Sequence, residues 1–221
     1  AVLYENGDLD TTFNGYIGVP NGRILAIAED PSTGILYVGG EGFQYWDQGP
    51  LGGTSDPYPN SKLIVALNGE DASTIAGFQS YFVDEAYSVS KIKIYNGKIY
   101  VAGSFGEYDG EIKRGIVRLN MDGSLDGSWN SAGVGIDSDL SGVADFAFYG
   151  SYIYITGRFT SYNGVARNRI ARLNLTDGTL DTGWDPGAGL NDPSGGPAIY
   201  GAISVDATGV YVGGNFTTYD G

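Results

Sequence analysis

The stretch YIYITGRFTSYNGVARNRIARLNLTDGTLDTGW, Tyr152–Trp184, decides the fold. A run of β-branched and aromatic residues, Ile153–Phe159, meets a turn at Tyr162-Asn163-Gly164. A second run, Arg169–Asn174, meets another turn at Asp177-Gly178, and a third short run ends on Trp184. Asn-Gly and Asp-Gly between apolar runs are strong hairpin signals, because both central residues of a type I′ turn need positive φ. The stretch reads as a three-stranded meander, and Val143–Tyr149 ahead of it supplies a fourth strand.

Working outward, the same unit recurs. Residues 89–129 repeat it as SKIKIYNG, KIYVAGSFGEYDG, IVRLN and SLDGSW. Residues 24–78 repeat it more loosely: the Asp-Gly turn has become Asp71-Ala72, the last strand is degenerate, and Asp47–Ser61, rich in Gly, Pro and Ser, is inserted as a loop. Residues 199–221 hold two strands, ending in GVYVGGNFTTYDG, and residues 1–14, AVLYENGDLDTTFN, match the back half of the later copies. The equivalent residues Tyr37, Tyr100, Tyr154 and Tyr211 stand 63, 54 and 57 residues apart. Fixed self-similarity at that spacing, with four strands per copy, marks a β-propeller blade.

In Tyr152–Phe159 both alternating faces are largely apolar, as expected of a sheet sandwiched between neighbours. The expectation is therefore an all-β single domain over residues 1–221, a propeller of four-stranded antiparallel blades. Pairing the strands of residues 1–14 with those of 199–221 closes a ring of four blades and removes the exposed edges. A window cut from a longer array is the alternative.

The chain has 221 residues with 37 Gly, 17 Tyr and 9 Phe, a composition suited to many short strands and tight turns. Its net charge of −14 argues against nucleic acid, which rewards Lys and Arg patches, and against attraction to anionic lipid. No run of about 18 apolar residues is present, so membrane insertion is not expected.

The segments GGNFTTYDG, TGRFTSYNGVARNRIARLNLTDGTLDTGWDPGAG and AGSFGEYDGEIKRGIVRLNMDGSLDGSWN resemble the delta-60 repeat. That family consists of β-propeller modules of bacterial surface and secreted proteins and of phage tail and adhesin proteins. The resemblance covers nearly the whole chain and is weakest in residues 24–78. It implies the fold and an extracellular, cell-surface or virion setting of adhesion or receptor recognition. It carries no catalytic motif, and no enzyme is expected.

The residues agree. Histidine and cysteine are both absent, which removes Ser-His-Asp and Cys-His nucleophile systems and the common zinc sites. A glycoside hydrolase with paired carboxylates remains as one alternative function, since 26 Asp and Glu supply pairs freely. The acidic turns Asp122–Asp126 and Asp177–Asp181 resemble part of a calcium loop, but their recurrence makes them turn chemistry. Trp129, Trp184 and Phe13 read as packing between blades, and Arg118 and Arg172 as partners of the acidic turns.

Function is then expected in what does not repeat. Loops between blades and loops between second and third strands open on one face of a propeller. There they place Tyr45, Trp46, Asp47, Tyr58, Tyr81, Phe82, Asp84 and Tyr87, the candidate ligand-binding residues, with Tyr16, Glu85 and Asp192 nearby. Aromatic faces beside acidic acceptors suit a cell-surface glycan or a protein receptor. Asp137 and Asp139 are the candidate cation ligands, with Ca²⁺ as the candidate ion; no other cofactor is expected. The expected role is non-enzymatic recognition within a larger chain or oligomeric assembly. A purely structural spacer is the other alternative.

Overall fold

The computed structural model describes residues 5–8, 23–41, 63–80, 82, 88–137, 142–191 and 201–220, and every regular element among them is a β-strand. A first antiparallel unit comprises β1 (Arg23–Asp30), β2 (Ile35–Glu41) and β3 (Ile64–Asn68). A second comprises β4 (Ser88–Tyr95), β5 (Lys98–Ser104), a two-stranded ribbon of β6 (Glu107–Tyr108) and β7 (Glu111–Ile112), and β8 (Ile116–Leu119). A third repeats it with β9 (Gly142–Tyr149), β10 (Tyr152–Arg158), the ribbon β11 (Ser161–Tyr162) with β12 (Val165–Ala166), and β13 (Ile170–Asn174). The hairpin β14 (Ala202–Val205) with β15 (Val210–Gly213) begins a fourth. The first two units touch through one ladder pair, Glu41 with Ser88.

The expected fourth strand of each copy is reduced to one bridge: Leu67 with Thr74, Leu119 with Leu125, Leu173 with Leu180. The next residue still donates its N–H across the ladder, Ile75 to Ala66 O, Asp126 to Arg118 O and Asp181 to Arg172 O, and in two copies its carboxylate binds an arginine.

Alternation along each central strand divides its side chains between two cores. In β5, Ile99 and Val101 join the core shared with the first unit, whereas Tyr100 and Ala102 join the core shared with the third. In β10, Ile153 and Ile155 face the second unit and Tyr154 faces the fourth. The apolar character of both strand faces thus has its physical cause in sheets stacked face to face.

One backbone device recurs in three sheets. The innermost strand bulges between Ile24 and Ala26, between Val89 and Lys91, and opposite Thr156 and Gly157. The extra residue pushes a carbonyl against the middle strand. A Cβ there would lie 1.8 Å from Arg23 O at Gly40, 2.0 Å from Ser88 O at Gly103 and 2.1 Å from Gly142 O at Gly157. The glycine that closes each Gly-Gly, Ala-Gly or Thr-Gly pair is required by this close approach.

Polar groups tie the innermost strands together. Lys91 pairs with Asp145 at 3.0 Å, and the other oxygen of Asp145 accepts from the Ile203 N–H at 3.1 Å. Ser90 Oγ lies 2.6 Å from the Val143 carbonyl, and Lys93 Nζ donates to the Phe146 carbonyl at 2.8 Å.

Candidate functional site

At the outer ends of the sheets, the repeated acidic residues are consumed by the chain itself. Asp122 accepts from the N–H and hydroxyl of Ser124, and Asp177 does the same for Thr179. In these turns only the glycine has positive φ, 87° at Gly123 and 71° at Gly178. The type I′ expectation fails here because the carboxylate makes an Asx turn instead. It holds at Asn163-Gly164, with φ of 49° and 78°.

Asp126 accepts from Arg118 Nε at 2.9 Å, from Lys98 at 3.0 Å and from the Ser128 N–H and hydroxyl. Burial pushes its carboxyl up, but the hydrogen bonds from Ser128 and Lys98 and the Arg118 charge prevail and hold it at about 2. Asp181 pairs with Arg172 in the same way, at 2.7 Å to Nε, and it too sits below the usual carboxylate range despite its burial.

Sequence reasoning paired these arginines with the acidic turns but missed where their other nitrogens go. Arg118 Nη1 crosses to the third sheet and donates to Leu175 O at 3.2 Å and Thr176 O at 3.0 Å. Trp129 is buried over Gly178, where a Cβ would meet its ring at 2.6 Å, and its Nε1 donates to Leu175 O at 3.3 Å. The Asn130 N–H then donates to Asp177 O at 2.6 Å. One joint between the first and second sheets is the same: the Gln79 N–H donates to Asp122 O at 2.8 Å. The signal in the sequence is the aromatic that stands seven residues after the Asp of each outer turn, Phe78 after Asp71, Trp129 after Asp122 and Trp184 after Asp177.

A second set of repeated contacts also joins each sheet to the next. Bridges join Phe82 to Tyr108, Ile136 to Tyr162 and Leu190 to Tyr219. Each links a residue that follows one sheet with a tyrosine that follows the second strand of the next. Tyr108 and Tyr162 are fully buried; their hydroxyls donate to Gly123 O and, at 2.9 Å, to Gly178 O. Two equivalent cations lie underneath: Lys113 donates to Asn130 O at 2.9 Å, and Arg167 to Ala166 O at 2.7 Å.

Phe82 is corrected from a ligand-binding candidate to a core residue. It is 2% exposed, packed edge-on against Phe105 and Tyr108 at 5.0 and 4.8 Å. Its bridge makes it the counterpart of Ile136 and Leu190, so it belongs to the repeat. Asp137 accepts from the Thr160 and Ser161 N–H groups at 2.8 and 3.2 Å and from the Thr160 hydroxyl at 2.8 Å. Asn191 Oδ1 accepts from the Thr217 and Thr218 N–H groups in the same way, while its Nδ2 donates to the Thr217 hydroxyl. A neutral amide fills the same place one sheet later, so the bonds to the two backbone N–H groups need an acceptor oxygen and not a charge.

Tyr45, Trp46, Asp47, Tyr58, Tyr81, Asp84, Tyr87 and Asp139 lie outside the described residues. Among the described residues no group of three or more His, Cys, Asp or Glu side chains is gathered, and no helix is long and apolar enough to cross a membrane. A groove of about 720 Å³ opens at the far end of the first sheet, lined by Glu29, Thr33, Leu36, Asn68, Glu70 and Ile75.

Comparison with known proteins agrees with this geometry. A family model described as a domain of unknown function (DUF5122) beta-propeller matches residues 96–128 and 153–183. Those stretches run from the inner hairpin to the outer turn of the second and third sheets. No curated protein matches the chain. The match supports membership of those two segments in a β-propeller repeat family.

Proposed function

We propose that this chain is a non-enzymatic recognition module of the delta-60 kind, serving adhesion or receptor binding in a bacterial surface or phage tail protein. It would bind a glycan or a protein receptor through the loop-bearing end. The observation that carries the reading is the division of labour in the described residues. The repeated polar side chains are committed to turns and to joints between sheets, which leaves the aromatic and acidic residues of the segments that do not repeat as the candidates for recognition.

The finer architecture proposed is a closed ring of four blades, in which residues 1–14 complete residues 199–221. Two faces support it. Ile27, Ile92, Phe146 and Ile203 hold equivalent places opposite Val38, Val101, Ile155 and Val212. The last three are 3%, 0% and 6% exposed, and Ile27 is 62% exposed. On the other face Tyr37, Tyr100 and Tyr154 are 1%, 2% and 5% exposed, and their counterpart Tyr211 is 54% exposed. Each open face is the complement of one that is covered elsewhere, which is what ring closure would bury.

A glycan array and binding to candidate host cells test the recognition role. Alanine at Trp46, Tyr81 and Tyr87 should abolish a binding that the parent shows and leave folding intact. Binding that survives all three removes the loop-bearing end as the site. Release of reducing sugar from any bound glycan would overturn the non-enzymatic assignment.

A further inference from the structure

We infer that Trp184 and Arg172 form a docking site for the Asn6-Gly7-Asp8 turn of the same chain. This inference rests on the closed-ring reading and names the joint that closes the ring.

Two such joints are occupied. At each, the aromatic of one sheet, Phe78 or Trp129, is followed by a backbone N–H bonded to the Asp carbonyl of the next sheet's outer turn. The turn glycine is pressed against the preceding sheet: a Cβ at Gly123 would lie 1.9 Å from Gln79 O, and one at Gly178 would lie 2.6 Å from the Trp129 ring. The third joint has the gripping half alone. Trp184 is half-buried where Trp129 is buried. Arg172 is already oriented, held by Asp181 and the Tyr154 hydroxyl, with its guanidinium 4.2 Å over the Tyr152 ring and 5.7 Å from that of Trp184.

The gripped half exists at residues 5–8. Gly7 has φ 89°, against 87° at Gly123. The Asp8 N–H donates to Asn6 Oδ1 at 3.0 Å, as the Ser124 N–H does to Asp122 Oδ1 at 3.0 Å. A Cβ at Gly7 would meet nothing within 4 Å, so this turn has the form of the gripped ones without their neighbour. On the gripping side Arg167 donates to Trp184 O, at the position where Lys113 donates to Asn130 O in the occupied joint.

Hydroxyl-radical footprinting of the whole chain, with Gly7→Val alongside and solution mass from light scattering, tests the joint. In the monomeric parent, Trp184 should be as protected as Trp129, and Tyr211 should be protected too. Gly7→Val should expose Trp184 and leave Trp129 protected. Should that variant unfold, the parent's Trp184-to-Trp129 ratio decides alone. Trp184 oxidising much faster than Trp129 while Tyr211 stays protected overturns the joint and leaves the ring; exposure of both Trp184 and Tyr211 overturns the ring with it. Trp184 protection that is indifferent to a folded Gly7→Val means a different occupant and overturns the assignment. Protection that disappears on dilution of a dimer puts the turn in a second copy and overturns the same-chain joint.

Discussion

The first sheet and the two that follow solve one packing problem in two ways. Beside Tyr100 and Tyr154 stand Arg118 and Arg172, each bonded to an aspartate on the short segment beyond. Beside Tyr37 stands Ala66, and the residue in the aspartate's place is Ile75, whose N–H meets Ala66 O at 3.0 Å. The carbonyl that Arg118 reaches in the third sheet, Leu175 O, has its counterpart in Met121 O, and Tyr37 OH donates to it at 3.3 Å. Replacing both partners of a half-buried ion pair with apolar groups costs little, whereas removing one leaves an uncompensated charge. The comparison teaches that the pair is exchanged whole, with the neighbouring tyrosine taking over the bond to the next sheet.

The sharpest way to break the sheets apart is at the bulge. Gly157→Val should cost beyond about 4 kcal/mol and abolish folding, because the clash is with backbone that cannot yield. Gly97→Ala, at a turn with open space around it, should cost only about 1 kcal/mol in the same denaturant titration. Trp129→Ala should cost about 3–5 kcal/mol, and Phe78→Ala less, since Phe78 is only half-buried.

The ion pair comes next. Asp126→Ala should lose about 2–3 kcal/mol by stranding Arg118. Arg118→Ala with Asp126→Ile, the first sheet's solution, should lose less than that single change; a double that is worse than additive would refute the exchange argument. Acid gives a milder probe. Asp126 has its folded pKa depressed to about 2, so its contribution is complete above the unfolded value and is lost as pH falls from about 4 through 2. Screening limits that loss to on the order of 1 kcal/mol, readable as a thermal shift that Asp126→Asn abolishes. The smallest effect expected is for Asp137→Asn, within about 0.5 kcal/mol, because Asn191 already does that work one sheet later.

Most of the scaffold was legible because it repeats. The central strands, their turns and the sharing of both faces follow from alternation and from the recurring Tyr, Gly and Asp. What escaped notice was either reduced or disguised. The fourth strands shrank to single bridges, in the copy that carries Ile75 as in those that carry Asp126 and Asp181. Phe82 looked unique because its counterparts are Ile136 and Leu190, alike in apolarity and in nothing else a sequence displays. Asp137 looked like a cation ligand because its counterpart, Asn191, keeps the acceptor oxygen and drops the charge. Tyr45 and Trp46 stand 63 residues before Tyr108 and Asp109, within reach of the repeat, whereas Tyr58 lies in the inserted stretch and has no counterpart.

The single ladder pair between the first two sheets has a mechanical consequence. Within a sheet, pulling along the chain must shear rows of backbone hydrogen bonds together. Between sheets, the described links are side chains, a few donors to carbonyls and one such pair. Under tension the molecule should therefore yield in steps of one sheet, each with a rupture force set by its own joint, as expected of a stacked array with nearest-neighbour coupling. The expected result is a graded yielding rather than a single failure.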